Sequence, residues 1–185
     1  MTEIPGYVAG KWDIDAVHSE IGFTVRHMMV SKVRGRFDKF EGSIVTGDKP
    51  EDSSVTASIE ATSINTNNEQ RDGHIKSADF FEVDKHPSWT FSSTGLRNIE
   101  GDGFLLDGDL TIKGTTKPVT FEAELNGIGP DAYGGTRIGF SAIAEIDRND
   151  FGVSFNGPIP GAPGGVIVSD KVQLSLEVEA VLQQG

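Results

Sequence analysis

The chain has 185 residues, no cysteine and a formal net charge of −12, from 16 Lys and Arg against 28 Asp and Glu. This length suits one core, so we expect a single domain over residues 1–185. The lack of cysteine excludes disulfides, thiol nucleophiles, iron–sulfur clusters and thiolate zinc sites. The acidic balance disfavours binding to nucleic acid and to anionic membranes. The sequence contains no run of ~20 apolar residues, so we predict no stable membrane insertion.

Alternation of apolar and polar residues with a period of two is the dominant pattern, and it predicts β-strands. The first two strands are expected at residues 11–15 and 20–28. In the second, Phe23, Val25 and His27 fall on one face, which we predict to point into the interior. An imidazole in such surroundings needs a hydrogen-bond partner or a ligand head group.

The next two predicted strands cover residues 34–46 and 55–61. Phe40 lies on the inner face of the first, whereas Phe37 is out of phase with it and indicates a bulge or bend. The second has the cleanest alternation in the chain and places Ile59 inside. Both strands are therefore expected to contribute one apolar face to the core.

Residues 65–79 break the alternation. Thr66 or Asn65 suits the cap of a helix, and Glu69 suits its first turn. We therefore predict one short helix near residues 67–78.

Five further alternating segments follow the helix. They cover residues 89–91, 104–112, 119–125, 138–146 and 172–178. Their predicted inward side chains include Trp89, Phe91, Leu106, Leu110, Phe121 and Phe140. The total of eight or nine strands fits a closed barrel or a two-sheet sandwich, which alternation alone does not separate. A closed barrel of about eight strands is either filled by side chains or holds one small ligand.

Residues 148–169 are rich in Gly and Pro and show no alternation. So long an unpatterned loop is usually functional or mobile. We predict that it forms a flap, held at its base by Arg148 and Asp150, with Phe151 and Phe155 folding over an opening.

Several motifs occur along the chain in a fixed order. They are WDIDAVHSEIGF at 12–23, VRH at 25–27, GRFDKFEG at 35–42, NEQRDGHIKSADFF at 68–81 followed by His86-Pro87, LTIKGTTKPV at 110–119 and DRNDFG at 147–152. Together they resemble the YceI-like family, and the resemblance runs nearly end to end. The stretch at 68–81 is the most characteristic of them. Gly73 within it departs from the helix-favouring residue that is usual there.

The resemblance implies an all-β fold, an extended eight-stranded antiparallel lipocalin-like barrel with one short helix. It also implies that the barrel encloses an isoprenoid chain or isoprenoid quinone, often as a dimer, without established catalytic residues. We therefore expect a carrier or reservoir rather than an enzyme, with no cofactor and with the homodimer left open. Many family members carry a secretory leader; residues 1–6 lack its pattern, so we expect a cytoplasmic protein.

The predicted ligand-binding residues are the inward set of the strands. They are Phe23, Val25, His27, Phe40, Ile59, Trp89, Phe91, Leu106, Leu110, Phe121 and Phe140. An isoprenoid tail has no hydrogen-bonding groups, so its binding depends on apolar burial, at roughly 25 cal/mol per Å², against the entropy of ordering the chain. The competing interpretation of each residue is that it simply fills the core.

Two other functions stay open at this point. His18, His74 and His86 each lie near an acid in sequence, namely Asp15, Asp72 and Asp84, which is a weak indication of metal-assisted or acid–base chemistry. None has the spacing of a helical zinc site, so we predict no metal ligand. For Arg71, Asp72 and His74 we favour a hydrogen-bonded network that fixes the helix to the barrel rim over a polar mouth that recognises a head group. The remaining option is a stress-related interaction module with a filled barrel.

Overall fold

The computed structural model describes residues 4–28, 30–156, 158–159, 162–166 and 168–184. The strands are β1 Gly10–Ile14, β2 Glu20–His27, β3 Ser31–Phe37, β4 Phe40–Thr46, β5 Ser54–Glu60, β6 Ile64–Asn65, β7 Ser88–Glu100, β8 Gly103–Ile112, β9 Thr115–Pro130, β10 Thr136–Asp147, β11 Pro158–Ile159, β12 Ala162–Val166 and β13 Val168–Leu182. The single α-helix among the described residues, α1, is Glu69–Lys76, and 3-10 turns occur at Ala16–His18, Pro50–Asp52, Ala61–Ser63 and Arg148–Phe151.

Eight of these strands close into an antiparallel barrel. Their order is β1, β4, β5, β7, β8, β9, β10 and β13, and β13 pairs again with β1. The closed cylinder is the predicted eight-stranded barrel and excludes the two-sheet sandwich. The short helix is also confirmed, within the predicted range.

The long strand β13 has two different neighbours on the same side. Val172–Glu177 pair with β2, and Ala180–Leu182 pair with β1. The hairpin of β2 and β3 therefore extends the wall at one end of the barrel, which we call the upper end. The end where β1 joins β4 and β13 is the lower end.

The strand predicted at 34–46 is two strands, and the prediction of one continuous strand was wrong. The chain breaks at Asp38 and Lys39, whose backbone N–H groups donate to the carbonyl and hydroxyl oxygens of Ser63 at 3.1 and 3.0 Å. This break lets β3 pair with β2 while β4 pairs with β1. It also explains the phase change at Phe37, whose side chain is buried.

Helix α1 begins at a cap other than the two predicted. The Asn68 side chain accepts a hydrogen bond from the Arg71 N–H at 2.9 Å, which is the usual capping geometry. Thr66 instead donates its backbone N–H and its hydroxyl to Asp72 Oδ1, at 2.9 and 2.5 Å. Among the described residues, no helix is long and apolar enough to cross a membrane.

The middle of the barrel, which we call the waist, is filled by side chains. The Phe91 and Phe121 rings meet edge to face at 5.5 Å between centroids. Gly108 lies beneath Phe91, and a Cβ at that position would overlap the ring. Leu110 and Ala142 pack in the same cluster. The barrel interior is therefore divided, with space left toward each end.

Candidate functional site

An apolar cavity of about 180 Å³ lies at the upper end of the barrel. Its apolar lining is Phe23, Val25, Val33, Ile75, Phe80, Phe81, Trp89, Ile112, Ile146, Phe151, Val153, Phe155, Val168, Val172 and Leu174. The remaining lining residues are Arg26, His27, Arg71, His74 and Arg148. Arg26 and His74 are exposed, so they mark the mouth, whereas Ile112, Ile146 and Leu174 form the floor above the waist.

The β2–β3 hairpin supplies one wall of the cavity. Phe23 and Val25 face inward from β2, opposite Gly35 and Val33 of β3. A Cβ at Gly35 would overlap the Phe23 ring, so this glycine lets the ring lie flat against the backbone. The period-two pattern thus places three apolar side chains on the cavity wall.

Trp89 forms another part of the cavity wall with other aromatic rings. Its ring centroid lies 4.7 Å from that of Phe37 and 5.0 Å from that of Phe81. The indole nitrogen Nε1 is buried and has no hydrogen-bond partner among the described residues. An unsatisfied buried donor costs about 1–3 kcal/mol, so this wall offers an N–H to an acceptor.

Three further rings form a cluster at the mouth. The centroids of His74, Phe80 and Phe155 lie 5.1–5.2 Å apart, with edge-to-face geometry. His74 Nε2 contacts Asp79 Oδ2 at 2.8 Å, rather than Asp72, its nearest acid in the sequence. The helix and the segment that precedes β7 thereby form the rim.

Arg71 and Asp72 fix the helix to the chain before it. Arg71 donates from Nε and from one terminal nitrogen to the hydroxyl and carbonyl oxygens of Thr66, at 2.8 and 2.6 Å. Asp72 accepts two bonds from the same threonine. These contacts support the structural network that was favoured from the sequence over a polar mouth.

Arg148 is a buried cation beside the cavity. Its guanidinium donates to the carbonyl oxygens of Ser169, Val153 and Val168 at 2.9, 2.7 and 3.2 Å, and only 6% of the side chain is exposed. Burial lowers the pKa of Arg148 from its ordinary value, whereas Asp170 opposes the shift from 3.9 Å. Arg148 therefore holds the base of the 148–169 segment, as predicted.

The predicted flap lies partly outside the described residues. Gly157, Pro160, Gly161 and Ile167 are outside them, so its closure stays a prediction. The described part places Phe151 in the core and Phe155 in the ring cluster of the mouth.

The charge of the lining is opposite in sign to that of the whole protein. Three arginines and two histidines line the cavity, and none of the described Asp or Glu residues does, although the chain carries −12 overall. The side chain of His27 has no hydrogen-bond partner among the described residues. The site therefore combines an apolar interior with hydrogen-bond donors near its mouth.

The eleven predicted ligand-binding residues separate into three groups. Phe23, Val25, His27 and Trp89 line the upper cavity. Ile59, Phe91, Leu110 and Phe121 belong to the packed core, with Phe40 packed against it. Leu106 and Phe140 line a second apolar cavity, of about 80 Å³, at the lower end. Ligand binding by the set stays a prediction.

Several cavity residues were not predicted from the sequence. Ile75, Phe80, Phe81 and Val153 lie in the helix and in irregular segments, where a period of two carries no information. The motif at 68–81 was the available signal for the first three. Among the described residues, no group of three or more His, Asp or Glu side chains is arranged to hold a metal ion.

The model of the YceI-like domain matches residues 12–180 of this chain. The chain belongs to the YceI-like family. Protein YceI of Shigella flexneri is 38% identical over 176 residues, which cover 94% of this chain and 87% of that protein. A UPF0312 protein of Pseudomonas aeruginosa is 38% identical over 175 residues, with 94% and 86% covered.

Solved structures of three proteins have the same fold. The crystal structure of the Campylobacter jejuni YCEI protein superposes with a TM-score of 0.73 at 30% identity and covers 100% of both chains. Burkholderia cenocepacia BcnA gives 0.77 at 23% identity, covering 90% of this chain and 98% of that one. A polyisoprenoid binding domain from Saccharophagus degradans, implicated in plant cell wall breakdown, gives 0.71 at 15% identity, with 95% and 100% covered.

Proposed function

We propose that this protein binds an isoprenoid lipid or isoprenoid quinone inside the barrel and acts as its carrier or reservoir. The observation that carries the proposal is the apolar cavity at the upper end, in a chain of the YceI-like family. The polyisoprenoid binding domain from Saccharophagus degradans, which shares the fold, supports the choice of ligand class. Cytoplasmic location and a homodimer stay predictions.

The size of the cavity sets how a long chain must enter. A cavity of roughly 150 Å³ lined by Leu, Ile and Phe takes up benzene, so one of about 180 Å³ holds only the first part of a prenyl chain. When the Phe91 and Phe121 rings rotate away from each other, the upper and lower cavities become continuous. The rest of the prenyl chain then extends past the waist. The prenyl methyl groups then replace the contacts that the rings lose.

The head group remains near the mouth. The indole N–H of Trp89 and the imidazole N–H of His27 have no acceptor among the described residues, and an isoprenoid tail offers none. A quinone carbonyl or a phosphate oxygen supplies one. The cationic lining without carboxylates favours such an oxygen-bearing head over a plain hydrocarbon end.

The experiment is lipid uptake by matched variants. Purified protein is incubated with farnesol or solanesol, a short and a long prenol, re-isolated and extracted for mass spectrometry. Val25→Asp places a carboxylate in the cavity and should reduce uptake at least about tenfold, since burying an unpaired charge is costly. Val45→Asp makes the same change on an exposed outer position and should retain uptake. No uptake by the unaltered protein, or equal uptake by Val25→Asp, contradicts the proposal.

A second variant tests the movement of the waist. Phe121→Leu removes half of the ring pair and should raise the ratio of bound solanesol to bound farnesol several-fold, because the long chain gains most from an open waist. Phe155→Leu changes a ring at the mouth and serves as control. An unchanged ratio in Phe121→Leu shows that the chain does not pass the waist.

A further inference from the structure

The β2–β3 hairpin is a local exception to the acidic surface. Residues 21–37 contain Arg26, Lys32, Arg34 and Arg36 and no Asp or Glu, although the protein as a whole carries −12. Arg36 is bonded to Asp38, with Nε 2.9 Å from Oδ1. The other three cations have no hydrogen bond or ion pair from their side chains to any described residue. We call Arg26, Lys32 and Arg34 the cationic band.

The register places the band on one outer face. Arg26 of β2 stands directly opposite Lys32 of β3, and Arg34 follows on the same face of β3. Like charges directly opposite each other destabilise an antiparallel pair. Asp170, on the neighbouring β13, is the nearest acid by pairing, and its carboxylate accepts from Asn149 at 2.9 Å. None of the three cations forms an ion pair with a carboxylate among the described residues, and Asp170 is the one acid that the pairing brings beside the band.

The tip of the hairpin adds apolar side chains to this charge. Met28 is 45% exposed and Val30 is 87% exposed, although both are hydrophobic. A surface that combines cations with projecting hydrocarbon matches the boundary between lipid head groups and acyl chains. A nucleic acid offers nothing to the apolar tip.

The hairpin also forms part of the cavity mouth. Arg26, His27 and Val33 line the cavity from this hairpin. Any surface that contacts the hairpin tip therefore lies beside the entrance. An isoprenoid that leaves a bilayer at this point reaches the cavity without crossing bulk water.

We propose that the β2–β3 hairpin docks the protein on an anionic lipid bilayer, with the cationic band at the phosphate groups and Val30 at the acyl boundary. The proposal rests on the proposed function for its purpose, because docking presents the mouth to membrane lipid. The net charge does not prevent contact: at ~0.1 M salt the Debye length is about 10 Å, so carboxylates at the lower end are screened. Each cation near an anionic surface strengthens binding about fivefold.

One structural explanation competes with docking. β3 is an edge strand over most of its length, since β6 pairs only with Arg36 and Phe37, and charged side chains on edge strands prevent aggregation. A glutamate protects an edge as well as a lysine does, but it repels an anionic membrane. Reversal of the charges therefore separates the two roles.

The test is flotation with vesicles that contain no isoprenoid. The unaltered protein should float with vesicles of equal parts phosphatidylglycerol and phosphatidylcholine, but not with phosphatidylcholine alone. Lys32→Glu with Arg34→Glu should weaken vesicle binding at least about twentyfold. Val30→Ser should weaken it several-fold without changing the protein's charge. The matched control, Lys11→Glu with Lys49→Glu, makes the same charge change at the lower end, where both side chains are exposed and unpaired, and should bind normally.

Each outcome has one meaning. Equal binding to neutral vesicles, unaltered binding by the hairpin variant, or equal loss in the lower-end control overturns docking. Prenol uptake from detergent is measured in parallel, and retained uptake by Lys32→Glu with Arg34→Glu shows that this variant is folded. Flotation without prenol uptake supports docking while it contradicts the proposed function; uptake without flotation overturns docking alone.

Discussion

Two arginines at opposite ends of the barrel differ in their partners. At the lower end Arg137 donates to Asp15 and Asp131 at 2.8 and 3.0 Å and approaches Glu179 at 3.3 Å. At the upper end Arg26 has no carboxylate partner among the described residues, and no acid lines the cavity. Arg137 is therefore satisfied by carboxylates within the protein, whereas the side chain of Arg26 has no partner among the described residues.

Packing follows the same division. Trp12 at the lower end is fully buried, and its Nε1 donates to Thr46 Oγ1 at 2.9 Å. Trp89 at the upper end is buried as well, but its Nε1 has no described partner. The cavity volumes, about 80 Å³ below and about 180 Å³ above, agree with this contrast. The lower end therefore has the smaller cavity and the paired indole, and the upper end has the larger cavity and the unpaired one.

The largest expected effect comes from a charge placed in the waist, between the two ends of the barrel. Phe91→Arg should unfold the protein, because a buried guanidinium without a partner costs about as much as the ~5 kcal/mol or more that stabilises a domain. Phe155→Arg at the mouth lets the charge reach water and should cost less than about 1.5 kcal/mol. Urea unfolding followed by circular dichroism compares them. Similar losses would show that the waist is not a packed core.

The next prediction concerns an unpaired indole N–H like that of Trp89, introduced at Trp12 of the lower end. Thr46→Val leaves the buried Trp12 indole N–H unpaired and should cost about 1–3 kcal/mol in urea unfolding. Trp12→Phe in the Thr46→Val background removes the orphaned donor and should cost less than the sum of the two single changes. Strict additivity would show that the hydrogen bond contributes nothing.

The ion cluster of the lower end predicts a pH dependence. The Arg137 guanidinium, and then His18, lower the pKa of Asp15 to about 2 from its ordinary 3.8. Since the folded pKa lies below the unfolded one, this contribution is present above about pH 4 and is lost as the pH falls toward about 2. Asp15→Asn should therefore be less stable than the unaltered protein near neutral pH and equally stable near pH 2. Urea midpoints across this range check it, and a constant difference contradicts the assignment.

The smallest effect concerns the helix at the mouth. Gly73 lies inside α1, is exposed, and has nothing within 4 Å of where a Cβ would stand. Gly73→Ala should stabilise the protein by about 0.5–1 kcal/mol, since alanine favours the helix. Gly108→Ala serves as the opposite control, because its Cβ would overlap the Phe91 ring. A loss of stability in Gly73→Ala would show that α1 needs its flexibility.

Much of the barrel was predictable because a strand has a fixed period. Alternation located the inner faces of β2, β5 and β8 to β10, and one break in alternation located α1. The division at Asp38 and Lys39 was not predictable, because Ser63, which fixes it, lies more than 20 residues away in sequence. The cap of α1 was misassigned because Asn65, Thr66 and Asn68 all suit that position.

The site was less predictable than the fold. Trp89 and Phe91 both point inward from β7, yet Trp89 lines the cavity and Phe91 fills the waist. The difference depends on Gly108, a cross-strand neighbour that makes room for one ring only. Periodicity indicates which side chains point inward, but the depth at which the interior is hollow depends on neighbours from other strands.

The double pairing of β13 has a mechanical consequence. Ala180–Leu182 pair with β1, whereas Val172–Glu177 pair with β2. The two pairings therefore use different stretches of one strand. Separation of β13 from β2 widens the rim of the barrel and leaves the pairing of β13 with β1 intact. This separation breaks only the backbone hydrogen bonds between β13 and β2, and the eight-stranded cylinder stays closed.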